Sequence, residues 1–341
     1  MSPTISAERV TTSRLTLNVL SVPGSSGEPV LFVHGNVSSS AFWRSAMAAT
    51  AGGFRPFAVD LRGFGDSDAL PVDASRGVRD YSDDVLSLLD VLGPAHLVGW
   101  SLGGGVVLQA LRDRAAAVRS VTLVNPVSPY GFGGTQGAEG ALTHPDGTGS
   151  GGGAANPEFV AALRAGDRSA DSPVSPRTVL RTAYVVPGTD FGGEEDAFVE
   201  SMLSTLLGED NYPGDSVPSG AWPGIAPGGR GVLNSLAPTH FRVDDLHTID
   251  PKPPILWIRG ADDVIVSDTS FFDLAHLGAI GAVPGWDGTP AQPMVTQTRA
   301  VLERYGPYEE VVFEGCGHSP HIEKPAEFGR ALLAHLGKSR L

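Results

Sequence analysis

Short apolar runs alternate with helix-like stretches over the first 125 residues, and this alternation restricts the fold more than any other feature. Val30–Val33, Phe57–Val59, His96–Gly99 and Val121–Val124 are strand-like runs too short for buried helices. Arg14–Leu20 alternates polar and apolar residues, as a half-buried strand does. Ser82–Leu92 instead carries Val85, Leu88, Leu89 and Leu92 at the i, i+3, i+4, i+7 spacing of an amphipathic helix, and Gly103–Leu111 reads as a second helix. Buried strands separated by helices predict an α/β fold, a mostly parallel central sheet with helices on both faces.

Strand signals return at Ile255–Ile258 and Glu310–Phe313, and Ala326–Leu336 closes the chain as an amphipathic helix. Between the two blocks the pattern breaks. Ten of the 23 residues from Gly131 to Gly153 are glycine, a stretch that loses too much conformational entropy to form regular structure unaided. Helical candidates follow at Pro157–Ala165 and Glu194–Leu207, then a second Gly/Pro-rich run at Pro213–Gly231. The expected organisation is one split core, residues 1–129 and 251–341, carrying an insertion at 130–250.

Composition narrows the partners. At 41% hydrophobic and 18% charged, the chain buries a sizeable core. A net charge of −14 with no basic cluster argues against nucleic acid. No apolar run is long enough to span a membrane, and the N-terminus lacks the pattern of a signal peptide. The single cysteine, Cys316, builds no internal disulfide framework. A soluble cytoplasmic protein is expected, with homo-oligomerisation left open.

The chemistry is concentrated in Gly99-Trp100-Ser101-Leu102-Gly103, a G-x-S-x-G between a strand and a helix. A serine on so sharp a turn is held with its hydroxyl exposed, while the helix start directs N–H groups at developing negative charge. The structural alternative is a helix-start turn with Ser101 as its N-cap. Asp263, after the strand PPILWIRGADD, and His318, after VVFEGCGH, weigh against that alternative. A serine hydroxyl needs a base to take its proton, and the base needs a third group to orient it. All three residues follow strands at the sheet edge where open α/β sheets bind ligands, in the order Ser, Asp, His.

The segments VLFVHGN, AVDLRGFGDSD, HLVGWSLGG, ILWIRGADDVIV and FEGCGHSPHIEKPAEF together resemble the α/β-hydrolase superfamily over about two-thirds of the chain. The resemblance implies Ser101 as nucleophile, His318 as general base and acid, and Asp263 as the residue orienting His318. Asp262 is the rival acid; the family spacing G-x-x-D from Gly260 selects Asp263. Some relatives place the acid after the preceding strand, but Asn125 stands there and carries no charge. Backbone N–H groups of Asn36 and Leu102 are the implied oxyanion hole. No cofactor and no metal set is expected. His34, His96, His321, Glu323, Cys316, Asp66 and Asp68 read as structural.

A serine nucleophile cannot form the alkyl-ester intermediate of epoxide hydrolases or haloalkane dehalogenases, which attack with a carboxylate. Acyl transfer to water remains: a carboxylesterase or lactonase, with a thioesterase, a carbon–carbon bond hydrolase or a cofactor-free perhydrolase as alternatives on the same triad. A ligand-binding or receptor protein on this scaffold is the alternative of another class. In the family, the segment after the sixth strand is a lid. Here Trp100 and, from the insertion, Tyr184, Phe191, Met202, Leu206 and Trp222 are the candidate substrate contacts. Their apolar character points to a hydrophobic ester or lactone of moderate size, with a macrolactone among the candidates. The 55-position separation of Asp263 and His318 is longer than the family leads one to expect, and suggests a second flap or a subunit interface.

Overall fold

In the computed structural model, which describes residues 3–338, eight strands form one sheet. They are β1 (Ser6–Thr11), β2 (Thr16–Ser21), β3 (Pro29–Val33), β4 (Arg55–Val59), β5 (Ala95–Trp100), β6 (Val118–Val124), β7 (Ile255–Gly260) and β8 (Tyr308–Phe313). Their order is β1-β2-β4-β3-β5-β6-β7-β8. The β1–β2 and β2–β4 pairs are antiparallel and all the others parallel. β3 and β5 are buried along their whole length, which explains why they read as apolar runs rather than as alternating strands.

The helices include α1 (Arg44–Thr50), α2 (Arg79–Leu92), α3 (Leu102–Asp113), α4 (Pro157–Ala165), α5 (Glu195–Leu203), α6 (Met294–Tyr305) and α7 (Pro325–Lys338). α3 packs on β3, β5 and β6 and against α2; α1 packs on β4 and against α7. The buried Arg62 guanidinium donates to Asp84 of α2 at 2.6 and 2.7 Å and so ties the loop after β4 to that helix. Arg14, which donates to Asp84 at 2.7 Å, and Asp80, 3.6 Å from Arg62, extend the pair into a network.

Four differences from the sequence reading have physical causes. β1 gave no apolar signal because it is a largely exposed edge strand, and the strand read from Arg14 begins at Thr16 because residues 12–15 form the turn between β1 and β2. α5 stops at Leu203 rather than Leu207, since Leu206 N–H turns away to donate to Gly63 O. Residues 131–153 are built into the structure with help from elsewhere. They form a two-residue antiparallel ladder, Thr135–Gln136 with Ala141–Leu142. Gln292 donates to Gly131 O and accepts from Gly133 N–H, while Gln297 donates to Thr135 Oγ1 and Gly137 O. Gly140 stands at φ 60° with its α-carbon against Tyr130, where an added methyl would sit 2.1 Å from the ring.

The extra residues between Asp263 and His318 therefore have a place within the chain: α6 supplies Gln297, and the loop before it supplies Gln292. Trp222 of the second Gly/Pro-rich run donates to Pro284 O at 2.9 Å in the same excess. No strand between residues 125 and 254 joins the central sheet among the described residues.

Candidate active site

Ser101 lies between β5 and α3 with φ 56° and ψ −119°. A non-glycine residue in this region is strained by about 1–3 kcal/mol and persists only where its surroundings over-determine it. Here the surroundings are backbone. Ser101 N–H donates to Val124 O, and Ser101 O accepts from Gly104 N–H and Val127 N–H. The two flanking glycines are required by close approach: a methyl on Gly103 would lie 2.3 Å from Val33 O, and one on Gly99 2.3 Å from Gly103 O. The start of α3 is thereby pressed onto the end of β3, beside the Gly35-Asn36 loop.

Asp263 follows β7, and one of its carboxylate oxygens accepts from Ile265 N–H at 2.7 Å and Val266 N–H at 3.0 Å. The other lies 2.8 Å from His318 Nδ1, and both side chains are buried. With Nδ1–H donating to Asp263, Nε2 is the ring nitrogen left to take a proton. Asp262 has its N–H bonded to Cys316 O, and its side chain is exposed.

The His318 loop is pinned from three sides. Trp100 Nε1 donates to His318 O at 2.8 Å, which seats this loop beside the residue preceding Ser101. Asn125 Nδ2 donates to His318 O at 2.9 Å and Gly317 O at 3.0 Å, while its Oδ1 accepts from Gly260 N–H at 3.2 Å. Glu323 accepts from the N–H groups of Gly317, Ser319 and Val186. The residue that cannot replace the acid thus cross-links the strand end carrying Asp263 to the loop carrying His318. Sequence reasoning missed this role, because nothing in VNPV names a partner some 190 residues away.

On the opposite side, Gly35 O accepts from Ser38 Oγ at 2.9 Å and lies 2.7 Å from His34 Nδ1. His34 Nε2 accepts from Leu61 N–H at 3.0 Å. Burial holds His34 below the ordinary histidine range, against the opposing pull of Asp60. His34 is thus a neutral buttress for the loop that carries Asn36. His321 is also buried, stacked on Trp43 with ring centroids 4.3 Å apart, and burial with the nearby His318 pulls it down to about 3. Burial pushes the Cys316 thiol far up, so it is no thiolate nucleophile. Asp68 accepts from Thr16 N–H and pairs with Arg9, fixing the turn after β4.

The six side chains expected to contact substrate do not converge. Trp100 and Tyr184 lie against His318, with ring centroids 5.4 and 6.2 Å away. Phe191 packs on Phe198, which packs on Phe42, itself stacked on Trp100. Met202 is wholly buried, Leu206 is 39% exposed, and Trp222 is docked near Gly278 and Pro284. A cavity of about 560 Å³ between the insertion and the core is lined by Phe42, Phe191, Phe198 and His321. One of about 660 Å³ lies on the insertion itself, around Arg181 and Phe191. Neither is lined by Ser101, Asp263 or His318. Among the described residues, no group of three or more His, Cys, Asp or Glu side chains is placed to hold a metal ion.

Comparison with known proteins agrees with this architecture. The model of the alpha/beta hydrolase family matches residues 30–331. The 2-(acetamidomethylene)succinate hydrolase of Mesorhizobium japonicum is 36% identical over 126 residues, 36% of this chain and 44% of that protein. The carboxylesterase YbfK of Bacillus subtilis is 31% identical over 104 residues, 30% of this chain and 34% of that protein. The chain thus spans less than half the length of these curated relatives. The crystal structure of the B. subtilis carboxylesterase CesB (YbfK) superposes with a TM-score of 0.61 at 16% identity, covering 98% of this chain and 92% of that one.

Proposed function

Because the chain belongs to the alpha/beta hydrolase family, we propose that it is a serine hydrolase cleaving a carboxylic ester or lactone through an acyl-enzyme on Ser101. The observation that carries this reading is the buried 2.8 Å contact between Asp263 and His318, on a loop that Trp100 ties to the strained Ser101 turn.

The steps follow from the chemistry of these groups. His318 Nε2 takes the hydroxyl proton as Ser101 Oγ attacks the acyl carbon, and the carbonyl oxygen becomes an oxyanion. The Leu102 and Asn36 N–H groups stabilise that oxyanion; losing one such donor typically costs about 3 kcal/mol of transition-state stabilisation. Collapse expels the alcohol, which receives the proton from His318. Water then repeats the cycle on the acyl-enzyme, releasing the acid and restoring Ser101. Asp263 keeps the imidazole in the required tautomer and stabilises its charged form.

Residues 130–250 act as a lid over a core formed by 1–129 and 251–341, whose terminal residues 1–2 and 339–341 lie outside the described residues. The aromatic side chains around the triad, Trp100 and Tyr184 with Phe42, Phe198 and Phe191 behind them, favour a hydrophobic substrate of moderate size. Incubating the protein and Ser101→Ala with p-nitrophenyl esters of graded acyl length and with hydrophobic lactones tests this reading. At least a thousandfold loss in the variant is expected. Equal activity in both would remove Ser101 from the mechanism, and absence of turnover in both would favour a ligand-binding protein.

A further inference from the structure

Tyr184 ends the π-helical turn Leu180–Tyr184 of the insertion, and its hydroxyl reaches into the core. It donates to Asn36 O at 3.0 Å, with Val37 O at 3.3 Å sharing the proton. Val37 has φ 45°, a left-handed backbone that β-branched residues rarely adopt and that persists only where neighbours hold it. The loop is also held from the core side. Gly35 O is fixed by Ser38 Oγ and the His34 ring, and a trans peptide is planar, so the Asn36 N–H must point opposite to that carbonyl. The direction of the Asn36 N–H is therefore set by two clamps: His34 and Ser38 act on the peptide that contains it, and Tyr184 acts on the next peptide. One clamp belongs to the core and the other to the insertion.

We propose that Tyr184 is a positioning residue for the oxyanion hole: its hydroxyl holds the Asn36–Val37 backbone so that the Asn36 N–H meets the oxyanion. The insertion then completes the catalytic apparatus as well as covering it, and acylation is slowed whenever this turn leaves the core. Burial raises the Tyr184 phenol well above its ordinary range, so the hydroxyl keeps the proton it donates. The inference rests on the reading of Asn36 N–H as an oxyanion donor.

Tyr184→Phe removes the hydroxyl and keeps the ring against Trp100 and His318. The variant and the parent are compared on one p-nitrophenyl ester, with kcat expressed per site labelled at completion by a fluorophosphonate, so that misfolded protein is not counted. A fall in kcat of about 10- to 100-fold is expected, with KM within about twofold. Inhibition by a trifluoromethyl ketone, which forms an oxyanion adduct with serine, weakens by the same factor; inhibition by the carboxylate product does not change. Unchanged kcat, or a rise in KM alone, overturns the inference and leaves Tyr184 as a pocket wall. If the parent itself neither labels at Ser101 nor turns over esters, the hydrolase reading falls and this inference falls with it.

Discussion

In the proposed mechanism the Ser101 backbone at φ 56° and the His318–Asp263 pair both hold reactive groups in place before substrate arrives. The buried residues behind them are chosen for neutrality as well as shape. Burial of His321 against Trp43 and Trp100, with His318 nearby, lowers its pKa in the folded chain to about 3 from the ordinary 6.5. Because the folded pKa lies below the unfolded one, the unfolded chain binds the extra proton between those values. Stability associated with this residue is complete above pH 6.5 and is lost as pH falls from 6.5 toward 3. His321→Phe keeps an aromatic ring on Trp43 and removes the titration. Urea unfolding from pH 7 to pH 4 is expected to show a shallower fall in the variant, by up to about 1.4 kcal/mol per pH unit. Parallel curves for the two proteins would mean that His321 is hydrated and titrates freely.

Elements that announce themselves in sequence are those whose burial is local. β3, β5 and the i, i+3, i+4 face of α2 were legible because each packs along its own length, and the G-x-S-x-G turn was legible because its glycines are demanded by a backbone neighbour four residues away and by the end of the adjoining strand. Residues 131–153 were opaque because what orders them is distant: Ser128 donates to Gln297, and Gln292 and Gln297 bond the glycine-rich backbone across some 160 positions. Gln297→Leu preserves the volume of this buried side chain and removes its bonds to Thr135, Gly137 and Ser128. A stability loss of about 1–3 kcal/mol is expected from the partners left unsatisfied. Amide hydrogen exchange in the variant should quicken first at residues 131–142. Exchange that rose evenly over the whole chain would contradict a local clamp.

At the scale of the molecule, a sheet interrupted after β6 and resumed at β7 brings Ser101, Asp263 and His318 to one region although they span more than 200 positions. That much follows from strand order and could be read from five motifs. How residues 130–250 attach to the rest of the chain could not, because Tyr184 and Glu323 act on backbone groups that leave no trace in composition or periodicity. The same holds for the excess before His318, which grips the insertion through Gln292, Gln297 and the Trp222–Pro284 contact. Among the described residues no helix is long and apolar enough to cross a membrane. The proposed mechanism requires Ser101 to be an activated nucleophile. Intact-mass spectrometry after incubation with a fluorophosphonate tests this most directly, with peptide mapping of the adduct and Ser101→Ala run in parallel. One adduct per chain is expected, on Ser101 and absent from the variant; an unmodified parent, or the same adduct on Ser101→Ala, would rule Ser101 out as the nucleophile.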